Sequence, residues 1–157
     1  MLFYRMRAPA PQISINAVRG CSMLALAAYP VGALIINFAN HAPLPVAIGY
    51  GLILVSLACV VPLVSSSLQR IVAESPASLD EYELQLRSRA MNQSYGGFTV
   101  LTLAGVIYAA VAVDHGGWVP VTYEQFNGLF WGVFLYASVM PVACLSWLVD
   151  ASFEAGQ

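Results

Sequence analysis

The chain has 157 residues, of which 59% are hydrophobic and only 9% are charged. Because a typical soluble domain has about 25% charged residues, this chain has too little polar surface for a water-soluble fold, and its composition predicts an integral membrane protein. The formal net charge is −2. No basic stretch is interleaved with aromatic residues, so nucleic acid is not an expected partner.

The first apolar run covers residues 21–39 and follows a polar leader that contains Arg5, Arg7 and Arg19. With 19 residues it is close to the roughly 20 residues needed to cross the hydrocarbon core of a bilayer. A basic leader before an apolar run is also typical of a cleaved signal peptide, and that alternative stays open. The run is long for such a signal, however, and a second apolar run follows almost directly.

The second apolar run covers residues 44–64, after a short turn that forces an antiparallel hairpin. It contains Ala47, Gly49 and Gly51, small residues that allow two helix backbones to approach closely. We therefore predict that the first two spans pack directly against each other.

A polar stretch at residues 78–92 separates the second apolar run from the third. Ser78 and Glu81 have the spacing of a capping box, and Glu83 and Arg87 form an i,i+4 pair in the favourable orientation. These signals predict a helix over 78–92. Gly96 and Gly97 follow it and are a candidate hinge, so this helix either lies flat on the membrane or continues into the third span.

One face of this central helix is apolar. Leu79, Tyr82, Leu86 and Ala90 follow a 3, 4, 4 spacing, which is typical of a narrow apolar stripe with polar residues opposite. The helix is therefore either a solvated lead-in to the third span or an interfacial docking element for a partner or for lipid headgroups. The candidate docking residues are Tyr82, Glu83, Arg87 and Arg89.

The third and fourth apolar runs cover residues 95–113 and 128–149. The fourth opens with Gly128 and Gly132, whose spacing marks a candidate helix-packing face. The complete pattern predicts an all-α integral membrane four-helix bundle, made of two antiparallel hairpins with an amphipathic helix before the third span. We treat residues 1–157 as a single membrane domain.

The basic residues predict the orientation. All six are arginines, and they lie before the first span or between the second and third spans. Because positively charged loops stay on the cytoplasmic side, we predict that both termini and the central helix are cytoplasmic.

The two histidines fall in the opposite loops. His41, His115 and Asp114 form a metal site if the two outer turns meet, and paired imidazoles could also hold a haem. The alternative is that both histidines are ordinary loop residues exposed to water.

The cysteines Cys21, Cys59 and Cys144 all lie inside apolar runs, and their odd number argues against a disulfide framework. We interpret them as small apolar residues. A soft-metal site from the three thiols is geometrically conceivable, but no metal-binding spacing supports it.

The layout of two apolar hairpins around residues 79–90, L-D-E-Y-E-L-Q-L-R-S-R-A, resembles a loose group of small uncharacterised four-span proteins of the bacterial inner membrane. The resemblance implies that location and no catalytic residue.

None of the four predicted spans contains Asp, Glu, Lys, Arg or His, the residue types that mark proton relays and substrate sites inside a membrane. We therefore expect no enzymatic activity and no cofactor. The leading hypothesis is a non-catalytic accessory or scaffold subunit, held in the lipid bilayer, that binds a larger membrane complex or other copies of itself. The alternatives are a redox, metal or haem protein using the outer histidines, and a small oligomeric transporter.

Overall fold

The computed structural model describes residues 13–39 and 42–149. The helices in these residues are, in chain order, α1 (Ile15–Phe38), α2 (Pro43–Val64), α3 (Ser67–Ala73), α4 (Glu81–His115) and α5 (Tyr123–Leu148), with a 3₁₀ turn at Pro76–Ser78. The helices α1, α2, α4 and α5 are long and apolar enough to cross a membrane. They confirm the predicted all-α, four-helix membrane fold, and we describe the chain as a multi-pass membrane protein.

Two helices begin earlier than the apolar runs that predicted them, because polar residues cap them. The Ser14 hydroxyl accepts a hydrogen bond from the backbone N–H of Ala17 at 3.3 Å and starts α1 at Ile15. Thr122 and Gln125 form a reciprocal capping box that starts α5 at Tyr123. Hydrophobicity thus located the membrane-spanning part of each helix, whereas capping fixes where the helix begins.

The central helix begins two residues later than its predicted capping box. The Glu83 N–H donates to Asp80 Oδ1 at 2.7 Å, and the Asp80 N–H donates to Glu83 Oε2 at 3.4 Å. The box is therefore Asp80–Glu83, and the prediction of Ser78–Glu81 was wrong. Ser78 instead donates its hydroxyl to the Ser75 carbonyl at 2.7 Å and closes the preceding 3₁₀ turn.

Helix α4 is one continuous helix of 35 residues. It passes through Gly96 and Gly97 without interruption, so the expected hinge is absent from α4. It ends at Gly116, whose φ of 67° suits a residue without a side chain. At 1.5 Å per residue α4 is about 52 Å long, roughly 20 Å longer than the hydrocarbon core it crosses.

Helices α1 and α2 form the first hairpin and cross at two glycines. A Cβ on Gly32 would lie 2.6 Å from the Gly49 carbonyl oxygen, which shows how closely the backbones approach. Nearby, the Ser56 hydroxyl donates to the Ala25 carbonyl at 2.8 Å. Gly49 therefore has the predicted packing role, but Gly51 faces open space.

Helix α5 packs between α1 and α4. Tyr29 of α1 donates its hydroxyl to the Gly128 carbonyl at 2.7 Å, and a Cβ on Gly132 would lie 3.0 Å from the Tyr29 ring. Gly132 thus has the predicted packing role against Tyr29, whereas a Cβ on Gly128 would meet nothing within 4 Å and Gly128 contributes only its carbonyl. Tyr136 of α5 donates in the opposite direction, to the Leu26 carbonyl at 2.6 Å.

These contacts place the start of α1, the end of α2, α3, the start of α4 and the end of α5 at the same end of the bundle. The described arginines Arg19, Arg70, Arg87 and Arg89 all belong to these segments, so we name this the arginine end. Buried residues concentrate there; they include Ile15, Val18, Leu63, Leu68, Ile71, Leu86, Leu145 and Val149. Toward the opposite end, residues 100–111 of α4 include no buried side chain.

The stripe on the central helix is mostly as predicted. Leu79, Leu86 and Ala90 are buried, but Tyr82 is 49% exposed. Glu83 takes the buried position, with 7% of its surface exposed. A charged residue replaces an aromatic one in the stripe because Glu83 has a partner there.

Candidate functional site at the arginine end

Helix α3 folds back at the arginine end directly after α2. The Ser66 hydroxyl donates to the Leu63 carbonyl at 2.6 Å and accepts from the Gln69 N–H at 3.2 Å. One serine thus closes the end of α2 and caps the start of α3. The turn brings Leu68 and Ile71 into the core cluster and places Arg70 beside α4.

An ion pair fastens α3 to α4. Nη2 of Arg70 lies 2.6 Å from Oε1 of Glu83, and Nη1 lies 3.0 Å from Oε2 of Glu74. The Glu83 side chain is only 10% exposed and the Arg70 side chain 41% exposed. Burial lowers the pKa of Arg70, but the hydrogen bonds and charges of Glu74 and Glu83 outweigh it and raise that pKa above its ordinary value. Arg70 is therefore a permanent cation between two carboxylates.

A second contact joins the same helices. Nη1 of Arg87 donates to the Glu74 carbonyl oxygen at 2.6 Å. Glu74 is the C-cap of α3, where the helix dipole is negative and the last carbonyls need donors. Glu83 and Arg87, both predicted as docking residues, thus hold α3 against α4. The expected Glu83–Arg87 pair is replaced by these contacts to α3.

The other two predicted docking residues lie on the outer surface. Tyr82 and Arg89 are exposed and, at seven residues apart, face the same direction on a helix of 3.6 residues per turn. Gln85 and Gln93 are exposed on this face as well. We call it the Tyr82–Gln93 face.

Arg19 closes the end of α5, a role that the sequence analysis did not predict. Its Nε donates to the Ser146 carbonyl at 2.8 Å and its Nη2 donates to the Val149 carbonyl at 3.0 Å. The guanidinium also lies 4.9 Å from the centre of the Trp147 ring. The last turn of α5 has no basic residue of its own, so these carbonyls take their donor from α1. The sequence shows that the last turn of α5 lacks a basic residue, which predicts a donor from elsewhere in the chain. It does not show that this donor is Arg19.

The predicted metal ligands lie at the opposite end. Asp114 and His115 are exposed in the last turn of α4, and Nδ1 of His115 lies 3.0 Å from the Val111 carbonyl oxygen. His41 lies outside the described residues, so a site formed with it remains a prediction. Within residues 13–39 and 42–149, no three His, Cys, Asp or Glu side chains converge in a way that could hold a metal.

The three cysteines are free and partly buried. Cys21 lies on α1, Cys59 on α2 and Cys144 on α5, and Cys21 and Cys144 pack against the core cluster. All three belong to the described residues, and they do not form a three-thiol group that could hold a metal.

Comparison of this chain with protein-family models, with curated proteins and with solved structures finds no match.

Proposed function

We propose that this chain is a non-catalytic, multi-pass protein of the bacterial inner membrane that acts as an accessory or scaffold subunit. It binds a membrane-protein partner, or another copy of itself, through the Tyr82–Gln93 face. The observation that carries this proposal is the arginine end of α4. A continuous helix extends beyond the apolar run, and α3 braces it.

Bracing matters because binding restricts the freedom of the docking element. A flexible segment loses conformational entropy when it binds, whereas a helix already fixed in position loses little. The Arg70–Glu83 pair at 2.6 Å and the Arg87–Glu74 bond at 2.6 Å fix the start of α4. These four residues therefore hold the Tyr82–Gln93 face in position. In the proposal, the exposed residues of that face make the contacts with the partner.

The chemistry of the face suits a protein partner. Tyrosine and arginine are enriched among the residues that contribute most to protein interfaces. Tyr82 and Arg89 lie two helical turns apart, about 10 Å along the axis, with the Gln85 amide between them. An aromatic ring, a cation and an amide together can recognise an acidic or carbonyl-rich surface.

The proposed orientation places the arginine end in the cytoplasm. Arg19, Arg70, Arg87 and Arg89 lie at one end of the bundle, while Asp114, His115 and Glu124 lie toward the other. This distribution agrees with the tendency of positive residues to remain on the cytoplasmic side. Both chain termini are then cytoplasmic.

The proposed absence of catalysis is supported by how the charged groups are used. At the arginine end, Asp80 caps a helix, Glu83 binds Arg70, and Arg19 and Arg87 bind backbone carbonyls. The Asp80 cap lies within α4, and each of the other contacts fixes one helix relative to another. All of them are structural roles.

The test is the native mass of the protein extracted from its own membranes in a mild detergent. We expect a stoichiometric assembly that is lost in the Tyr82→Ala/Arg89→Gln variant. Ser88→Ala/Met91→Ala is the matched control, because both residues are exposed on the same helix but about 100° or more around it from Tyr82 and Arg89. A wild-type protein that is a bare monomer, or an assembly that survives in both variants, would contradict the proposal.

A further inference from the structure

A groove of about 210 Å³ lies between α4 and α5 at the point where α4 enters its apolar run. Met91, Tyr95 and Phe98 form its α4 wall, and Ala137, Met140 and Pro141 form its α5 wall. Pockets for drug-sized ligands are usually about 300–1,000 Å³. This groove is too small for a bulky group such as a haem and suits a narrow, flexible chain.

Gly97 of α4 faces Met140 of α5 beside the groove. A Cβ on Gly97 would lie 2.9 Å from Cε of Met140. Farther along α4, residues 100–111 are not buried by α5. The groove is therefore open toward the hydrocarbon layer along the membrane-spanning part of α4.

Arg87 lies one helical turn before the groove, on the groove side of α4. Arg87 is four residues before Met91 and, at 3.6 residues per turn, on the same side of α4 as Met91, Ser94 and Phe98. One of its five N–H donors binds the Glu74 carbonyl, and its side chain is partly exposed. Arg87 lies about 12 Å outside the start of the apolar run at Tyr95. The guanidinium N–H groups that the Glu74 carbonyl does not hold are the donors available to a lipid phosphate.

We propose that this groove binds one acyl chain of an anionic phospholipid, with the lipid phosphate on the Arg87 guanidinium. Methionine and aromatic side chains adapt their shape to a flexible chain. A guanidinium matches the geometry of a phosphate and can donate two parallel hydrogen bonds to it. The cation and the apolar groove therefore fit the two parts of one lipid. The proposal does not depend on the proposed protein partner.

The test uses delipidated protein in detergent, titrated with phosphatidylglycerol or with phosphatidylcholine of the same chain length. Native mass spectrometry counts the bound lipids. We expect one phosphatidylglycerol to bind more tightly than phosphatidylcholine by about fivefold, the preference expected for one arginine beside an anionic lipid. Arg87→Gln should remove this preference, whereas Arg89→Gln, on another side of the helix, should retain it.

A second pair of variants tests the groove without changing Arg87. Ala137→Phe places a ring in the groove and should reduce binding of both lipids. Ala104→Phe adds the same ring to an exposed position on the opposite side of α4 and should bind lipid like the wild type. This pair keeps the proposal testable if Arg87→Gln loosens α3 by releasing Glu74.

Two results would overturn the proposal. The first is equal binding of the two lipids to the wild type. The second is lipid binding that Ala137→Phe leaves unchanged. A dimer that Ala137→Phe dissociates, with no lipid preference in the wild type, would show instead that a second copy of the chain covers the groove.

Discussion

Oε1 of Glu83 lies 2.6 Å from Nη2 of Arg70, thirteen residues earlier in the chain. The pair crosses from α3 to α4 and makes both helices part of one braced unit at the arginine end. A carboxylate with a 10% exposed side chain is stable there only because a guanidinium neutralises it. The position of the Tyr82–Gln93 face depends on this pair.

Replacing Arg70 should destabilise the braced unit. Arg70→Ala leaves the buried Glu83 carboxylate without its partner, and we expect a loss on the order of 1–3 kcal/mol, the usual cost of an unsatisfied buried polar group. The measurement is thermal or SDS-induced unfolding in detergent. Glu74→Gln is the control, because it weakens the more exposed i,i+4 pair with Arg70 and should cost a few tenths of a kcal/mol. Equal stability of the two variants would mean that the pair does not brace α4.

Replacing Arg19 should loosen the end of α5. Arg19→Ala removes the donors to the Ser146 and Val149 carbonyls, and we expect faster hydrogen–deuterium exchange over residues 145–149. Arg19→Lys should rescue only part of the protection, because an ammonium lacks the planar fork that reaches both carbonyls. Arg89→Ala is the matched control and should leave exchange at α5 unchanged. Full protection in Arg19→Ala would show that the end of α5 is stable without it.

A pair of glycine variants tests the close crossing of α1 and α2 at Gly32 and Gly49. Gly49→Ala places a Cβ 2.8 Å from the Gly32 carbonyl oxygen, so α1 and α2 must move apart, and we expect a loss on the order of 1–3 kcal/mol. Gly51→Ala meets nothing within 4 Å and should be neutral or slightly stabilising, since alanine favours helices. The measurement is the midpoint of SDS-induced unfolding. A Gly49→Ala variant as stable as Gly51→Ala would contradict the close crossing.

The outer histidines give a separate test of the alternative function. The proposed scaffold needs no metal or haem, so we expect purified protein to show no Soret absorbance and no stoichiometric metal by elemental analysis. If a metal is present, its loss in His115→Ala but not in Asp80→Asn would assign it to the outer turns. That result would replace the scaffold proposal with a metal-dependent function.

The spans were predictable from the sequence because each needs only a local run of apolar residues. The capping box of α4 could not be predicted in the same way. Ser78–Glu81 and Asp80–Glu83 both have the spacing and the residue types of a capping box. The structure uses the second pair, while Ser78 closes the turn at Pro76–Ser78. Local rules allow both sites and do not choose between them, and the one we predicted from the sequence, Ser78–Glu81, was wrong.

The contacts that build the arginine end could not be predicted from the sequence for a different reason. Arg19 and Ser146 are 127 residues apart, and Arg70 and Glu83 lie on separate helices. No local spacing rule relates either pair. The helical pattern therefore predicted one docking set of four residues, Tyr82, Glu83, Arg87 and Arg89. The structure divides them into two bracing residues and two exposed ones.

The most direct test of the scaffold proposal is photo-cross-linking in intact membranes, with a photoreactive amino acid at Gln85 in the middle of the Tyr82–Gln93 face. The control carries the same amino acid at Met91, exposed on the same helix but six residues farther on and therefore about 120° around it. We predict one dominant protein adduct from position 85, either a single partner or a second copy of this chain, and little from position 91. Equal, diffuse labelling from both positions would contradict a docking role for α4.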